Sequence, residues 1–430
     1  MENQEVETTQ SIFQSTTAKM IMVGLLTLVL LIPLSFVQDL IKERSNRQKE
    51  VIAETTSKWG ESVYFYGPIL KIPYKDPITS RIENAFFFPE QLTNTSSAEI
   101  KTPLQRSIYK SNVFTTKMQF SGNYIEPNFS KKNIPNDNIL WNKAAIIIRT
   151  TNLKSVNDEV KIKLGANIFT FEPIHTNKTN DSIESLETGY FDYNTIKNSK
   201  FNINITYNGS KRISIVPIGK TTDATMHSNW ASPNFNGNFI PNDKKITANG
   251  FDATWKILHF NRPFAQENFE ALPELSKYAF AVDFITPVDE YQQNNRASKY
   301  GFLVIGLTFL IFFLIQSISK ISIHIFQYVM IGIALIMFYT LLISITEHSS
   351  FGFAYAIAGT SVVAMITLYS ISILKDKKFP TFIGIALSIL YTFIYVIIQL
   401  EEYALLVGSI GLFFILAAVM YFSRKIEWNK

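Results

Sequence analysis

Between Gly301 and Phe422 the chain carries five apolar runs whose polar and charged residues are gathered almost entirely into the short turns between them. A bilayer's hydrocarbon core takes about 20 residues of helix to cross, and within it every backbone N–H and C=O must be satisfied inside the segment. Runs of this kind predict transmembrane helices at Gly301 to Ser319, Ile325 to Thr346, Phe351 to Leu374, Phe379 to Leu400 and Tyr403 to Phe422. A sixth run, Met20 to Ile41, is long for a cleavable leader. It contains Pro33 and ends in Gln38 and Asp39 without the small residues that cleavage needs, so it reads as a retained anchor.

The mean hydropathy of +0.10 averages two unlike regions. Residues 42–300 are rich in Asn, Lys, Thr and Pro and hold most of the charge, which marks one large water-facing domain on a membrane anchor. The absence of cysteine excludes disulfides and thiolate metal sites. A net charge of +5, spread thinly, gives no basic footprint for nucleic acid.

Orientation follows from the basic residues between short-looped helices. Lys320 follows the second span, "KDKK" (Lys375 to Lys378) the fourth, and Arg424, Lys425 and Lys430 the sixth, whereas the alternate turns hold "EHSS" and "EE". The basic ends belong in the cytoplasm. That places residues 1–19 and 423–430 inside as tails and residues 42–300 outside, which in a Gram-negative cell, as the resemblance described below implies, is the periplasm. Lys42, Arg44, Arg47 and Lys49, on the outer side of the first span, run against the rule, but the rule is weak beside long translocated domains.

The outer region opens with "QDLIKERSNRQKEVIAETTSKWG" (38–60), whose Leu40, Ile41, Val51 and Ile52 recur at roughly helical spacing and predict that the first helix continues as a juxtamembrane helix over 42–58. Beyond it come short β-branched and aromatic runs such as "SVYFYGPILKIPY", "AAIIIRTT" and "FNINITYNG", punctuated by Asn, Gly and Pro. These predict an all-β domain of sandwich or barrel type. The polar stretch 173–200 reads as an inserted loop or lobe boundary.

Motifs for chemistry are missing. There is no G-x-S-x-G elbow, H-E-x-x-H, P-loop or G-x-G-x-x-G, and the histidines (His175, His227, His259, His324, His348) are scattered. No catalytic residue, metal or cofactor is expected. Glu347 and His348 stand side by side between the third and fourth spans, where an acid and an imidazole can relay a proton or bind a metal. The turn between two helices is the simpler account, with contact to the outer domain or a lipid headgroup as the functional one. From Phe302 to Phe422 every ionisable side chain other than Tyr lies at a span end or in a turn, so a charge-coupled transport path is unsupported while an apolar cargo stays open. Small residues in "AYAIAGTS" (354–361) predict close helix packing.

The densest aromatic stretch of the outer domain is "HSNWASPNFNGNFIPNDKKITANGFDATW" (227–255). Phe251, Ala253 and Trp255 alternate with Asp252 and Thr254, which predicts a half-buried strand. Pro233, Gly237 and Pro241 break any regular strand before it, leaving Trp230, Phe235 and Phe239 on an irregular loop that packs inward or meets a partner.

"ESVYFYGPILKIPY" (61–74), "FFFPEQL" (86–92), "GSKRISIVPIGKTT" (209–222), "ANGFDATWKILHFNR" (248–262), "TPVDEYQQNNRASKYG" (286–301) and "FSRKIEW" (422–428) resemble, in order, the signature stretches of the CreD-type inner-membrane proteins of cell envelope integrity. The resemblance implies a Gram-negative inner-membrane protein tied to envelope stress through a sensor and response-regulator pair, with no settled biochemical activity. Comparable sequences follow the Trp motif with Pro-His-Pro; here Ala231, Ser232 and Pro233 stand instead, which removes a histidine from that loop. Two functions follow as expectations. One is a non-enzymatic envelope protein whose β domain binds a periplasmic or envelope protein or a cell-wall component. The other is a handler of membrane lipids or apolar solutes that uses a groove in the five-helix block.

Overall fold

The computed structural model describes residues 16–424 apart from 107, 175–182, 285–289, 320, 375–377 and 401–402. The sequence reading at His175, Lys320, Lys375 to Lys377, Glu401, Glu402, Lys425 and Lys430, and over most of the 1–19 tail, lies outside those residues. The chain divides into a helical unit (Met1–Lys49 with Val288–Lys430) and a β unit (Glu50–Pro287). The expected outer domain, 42–300, is therefore trimmed at both ends. Residues 42–49 continue a membrane helix and Glu290–Lys299 forms a helix packed on the bundle, so both belong to the helical unit.

Among the described residues six helices are long and apolar enough to cross a bilayer. The first, α1 (Thr16–Trp59), is a single helix of 44 residues that contains Pro33 and absorbs the predicted juxtamembrane segment. A short polar helix, α2 (Glu290–Lys299), precedes α3 (Gly301–Ser319), α4 (Ile325–Thr346), α5 (Phe351–Leu374), α6 (Lys378–Gln399) and α7 (Ala404–Ser423). Their core is a continuous cluster in which Leu30 and Leu34 of α1 meet Val304, Phe309, Leu335 and Leu342. Gly332 permits a close approach, since a Cβ there would lie 2.2 Å from Leu30 Cδ1. Ala354 and Ala358 of α5 are fully buried, as the small-residue stretch predicts.

Polar groups inside this unit are spent on helix ends and cross-links. His324 caps α4: its Nδ1 accepts from the Phe326 N–H at 3.2 Å, while Gln327 Oε1 accepts from the His324 N–H at 2.9 Å. Tyr328 Oη donates to Gln316 Oε1 at 2.9 Å between α4 and α3, and Tyr355 Oη donates to the Tyr391 carbonyl at 2.9 Å between α5 and α6.

The β unit is built on a continuous sheet of sixteen strands, fourteen in one unbroken order and two, Ile82–Phe87 and Glu267–Phe269, branching from strand Val63–Lys75. One half runs Asn234–Gly237, Phe280–Asp283, Arg212–Ile215, Val63–Lys75, Ala145–Thr150, Glu184–Thr188 and Asn167–Ile174. The other runs Lys161–Leu164, Lys200–Ser210, Val113–Tyr124, Pro89–Ile100, Thr221–Ser228, Gly250–Leu258 and Asp243–Thr247. Strand Asn167–Ile174 belongs to both halves, pairing through residues 167–170 with one neighbour and 171–174 with the other. Two pairings are parallel, Val63–Phe65 with Ile213–Ile215 and Gln91–Ala98 with Thr221–Ser228, so the sheet is mixed. The halves pack face to face, Phe65 of one stacking on Phe120 of the other with ring centroids 3.9 Å apart.

Two expectations are corrected here. The stretch 173–200 is not simply an insertion: Glu184–Thr188 is an inner strand paired on both sides, and Tyr193 and Ile196 are buried beyond it. The loop 231–241 is not wholly irregular, because Asn234–Gly237 pairs as an edge strand with Phe280–Asp283, with Pro233 just before its start where no ladder bond is lost.

Candidate functional site

Three helices of the bundle leave a groove between them. Side chains of α3 at Leu307, Leu310, Ile311, Leu314 and Ile318 form one wall, a stripe at three- and four-residue spacing. Phe382, Ala386, Ile389 and Phe393 of α6 form the floor, and Gly411, Ile415, Ala418 and Phe422 of α7 the second wall. The volume is about 650 Å³, and Lys378 is the charged residue among its lining. At one end the groove is pinched: a Cβ at Gly411 would stand 2.0 Å from the Phe393 ring, so α7 touches α6 there through the glycine. At the other end, where α3 finishes, α6 begins and α7 finishes, Lys378 forms part of the lining. No side chain of α7 is buried. This groove was not located by the sequence; the signal was the presence of Ala386, Gly411 and Ala418 opposite a stripe of Leu and Ile.

Glu347 and His348 do not act as a pair. Glu347 ends α4 and turns inward, its side chain 17% exposed, with Oε1 standing 3.8 Å from Arg44 Nη1 on α1 and 3.5 Å from Tyr291 Oη on α2. His348 is exposed and engaged through its backbone N–H with the Ile345 carbonyl. The carboxylate thus joins three helices of the helical unit, while the imidazole meets the surroundings. Among the described residues no three His, Asp or Glu gather at metal-binding distance.

In the β unit, Trp230, Phe235 and Phe239 are all partly buried against the core. Phe235 sits edge-on to Phe251 (5.5 Å) and Trp255 (6.0 Å), and the Phe239 carbonyl accepts from Trp255 Nε1 at 3.3 Å. The edge strand that carries Phe235 is fixed by Asp283, which is nearly fully buried and accepts from Nε and Nη2 of Arg212 and from the amides of Asn234 and Asn236. That carboxylate holds the Arg212 guanidinium above its ordinary range. Arg262 is the second residue that sequence reasoning missed. It is buried, donates to the carbonyls of Ile218, Gly219 and Phe264 and to the Gln266 side chain, and burial pushes it down to about 10. Both hold loops in place. The outward-facing apolar residues of this unit include Phe260, 83% exposed on a short turn with its ring tilted against that of His259.

Residues 15–429 match the family described as inner membrane protein CreD. The chain belongs to the CreD family. The inner membrane protein CreD of Escherichia coli K12 is 28% identical to this CreD-family chain over 421 residues, covering 93% of the chain and 91% of that protein. Six apolar helices and this family membership make the chain a multi-pass inner-membrane protein of envelope-related function, with a large mixed-sheet domain. Among solved structures, a Legionella pneumophila chain described as a candidate nutrient-binding protein is similar at a TM-score of 0.24 and 12% identity, over 57% of this chain and 80% of its own. An M1 zinc metallopeptidase from Deinococcus radiodurans is similar at a TM-score of 0.20 and 8% identity, over 46% and 42%. Likeness at that level carries no functional argument.

Proposed function

We propose that this CreD-family protein works without catalysis, holding membrane lipid in the groove between α3, α6 and α7, and presents its β unit in the periplasm to an envelope partner. The groove carries the reading. At about 650 Å³ it falls within the roughly 300–1,000 Å³ of ligand sites, and its walls are hydrocarbon, whereas a bundle sealed for anchoring alone would need no such opening. The sequence also supports an apolar cargo, because the spans hold no charged relay. The periplasmic placement rests on the basic turns that alternate with "EHSS" and "EE". Contact of the β unit with an envelope protein or cell-wall component belongs to the same proposal, as does the coupling to envelope stress that membership of the CreD family implies.

The test is purification of the full chain from native membranes into nanodiscs, followed by mass spectrometry of retained lipid. Wild type is expected to keep lipid that Ala386→Phe, which fills the groove floor, releases. Equal retention by the two would overturn the reading. Reporter fusions at Asn180 and Asn429 are expected to report opposite compartments.

A further inference from the structure

The geometry points to a particular occupant: one acyl chain of an anionic phospholipid, drawn from the leaflet at the Lys378 end of the groove. The inference rests on the lipid-holding reading above and names the lipid.

Length argues for a single leaflet. The lined stretch of α3 runs from Leu307 to Ile318 and that of α7 from Gly411 to Phe422, so at 1.5 Å per residue each wall is about 16 Å long. Half of a hydrocarbon core of about 30 Å is about 15 Å. The close approach of Gly411 to Phe393 narrows the groove at its inner end, where a chain from one leaflet would stop. The other end lies level with the ends of three helices, where a lipid's glycerol and phosphate would sit.

Charge argues for the headgroup. Lys378 is exposed and forms part of the lining at the end away from Gly411, and Arg424 follows the last residue of α7. Among the described residues the groove lining carries no carboxylate. A phosphate oxygen at that end meets an ammonium while the acyl chain meets Leu, Ile, Phe and Ala, the division of chemistry that a phospholipid carries in one molecule. A free fatty acid would offer its carboxylate at the same depth, but it lacks the second chain that keeps the molecule in the leaflet beside α7, a helix with no buried side chain of its own. A phospholipid is therefore the occupant.

The experiment is native mass spectrometry of the full chain, delipidated in detergent and titrated with palmitoyl-oleoyl phosphatidylglycerol or the matching phosphatidylcholine. Wild type is expected to bind phosphatidylglycerol more tightly. Lys378→Gln should lower that preference about fivefold, the ~1 kcal/mol that one cation near an anionic surface is worth, and Lys378→Arg should keep it. Ala418→Phe should weaken both lipids alike. If wild type binds neither lipid, the lipid-holding reading itself fails. If it binds both equally, or if Lys378→Gln keeps the full preference, the groove stands and the anionic assignment is overturned. Lys378 lies exposed at the start of α6, and a thermal melt of each variant in detergent checks that the comparison is between folded proteins.

Discussion

Trp255→Ala is the substitution whose cost the structure sets most clearly. Trp255 is 2% exposed at the middle of strand Gly250–Leu258, near one end of the fourteen-strand order. Its indole stacks on Phe280, at 4.8 Å and 28°, and Phe280 lies near the opposite end of that order. Phe235 stands edge-on at 6.0 Å, and the indole N–H donates to the Phe239 carbonyl. One side chain thus joins the two ends of the sheet through rings, where no ladder hydrogen bonds join them. Truncating a buried Trp to Ala costs about 3–5 kcal/mol through lost transfer energy and the cavity left behind. The orphaned Phe239 carbonyl adds little, because Phe239 is partly exposed and water can reach it. A loss of about 4 kcal/mol is therefore expected. Phe235→Ala, on a half-buried edge strand, should cost about 1–2 kcal/mol by the same transfer and cavity argument. The double substitution should fall short of the sum by about 0.5–1.5 kcal/mol, the range for an aromatic pair. Pulse proteolysis of the full chain in nanodiscs over a urea series measures all three. A Trp255→Ala protein within 1 kcal/mol of wild type would refute the bolted-end reading of the β unit.

Asp283→Ala removes the acceptor for Arg212, Asn234 and Asn236 and should cost about 3 kcal/mol, at the low end for a broken buried pair because Arg212 is 42% exposed; the same proteolysis assay checks it, and a neutral result would show that the edge strand holds without this carboxylate. Burial pushes the Tyr193 phenol from 10.0 up to about 12 and raises Tyr207 and Tyr124 further. The folded β unit keeps these phenols protonated, so their contribution is complete below pH 10 and is lost as pH rises through about 12. Alkaline titration should show tyrosinate absorbance and loss of β circular dichroism rising together, and full ionisation of a still-folded domain near pH 10 would contradict it. Glu347→Gln should lower stability by less than about 1 kcal/mol, since its nearest cation lies 3.8 Å away and is half exposed. Elemental analysis should find no stoichiometric transition metal to be lost on His348→Ala.

The membrane helices were legible because the bilayer imposes a length and a composition that few other structures satisfy. Predicted and observed ends agree within a residue in α3 to α7, as for Phe379 to Leu400 against Lys378–Gln399. The strand at Gly250–Leu258 was legible for a similar reason: one face meets a core and the other meets water, so Phe251, Ala253 and Trp255 alternate with polar residues. Strands Asn234–Gly237 and Glu184–Thr188 were not, because polar residues dominate them and partners distant in sequence hold them in place. Asp283 explains why so polar a segment as "NFNG" pairs at all: its asparagine amides bind a carboxylate far along the chain. The groove escaped for a geometric reason. Its three stripes each look like ordinary lipid-facing helix, and only their arrangement across more than 100 residues of sequence makes a cavity.

A helix with no buried side chain has its position set by the solvent as much as by the protein, and α7 is such a helix. The width of the groove is then a property of the surrounding bilayer: thickness, tail order and the presence of an occupant all act on one wall, which is held to α6 where Gly411 meets the Phe393 ring. Short-chain detergents, which match neither the length nor the lateral pressure of lipid tails, should let that wall drift, whereas nanodiscs of native lipid should keep it.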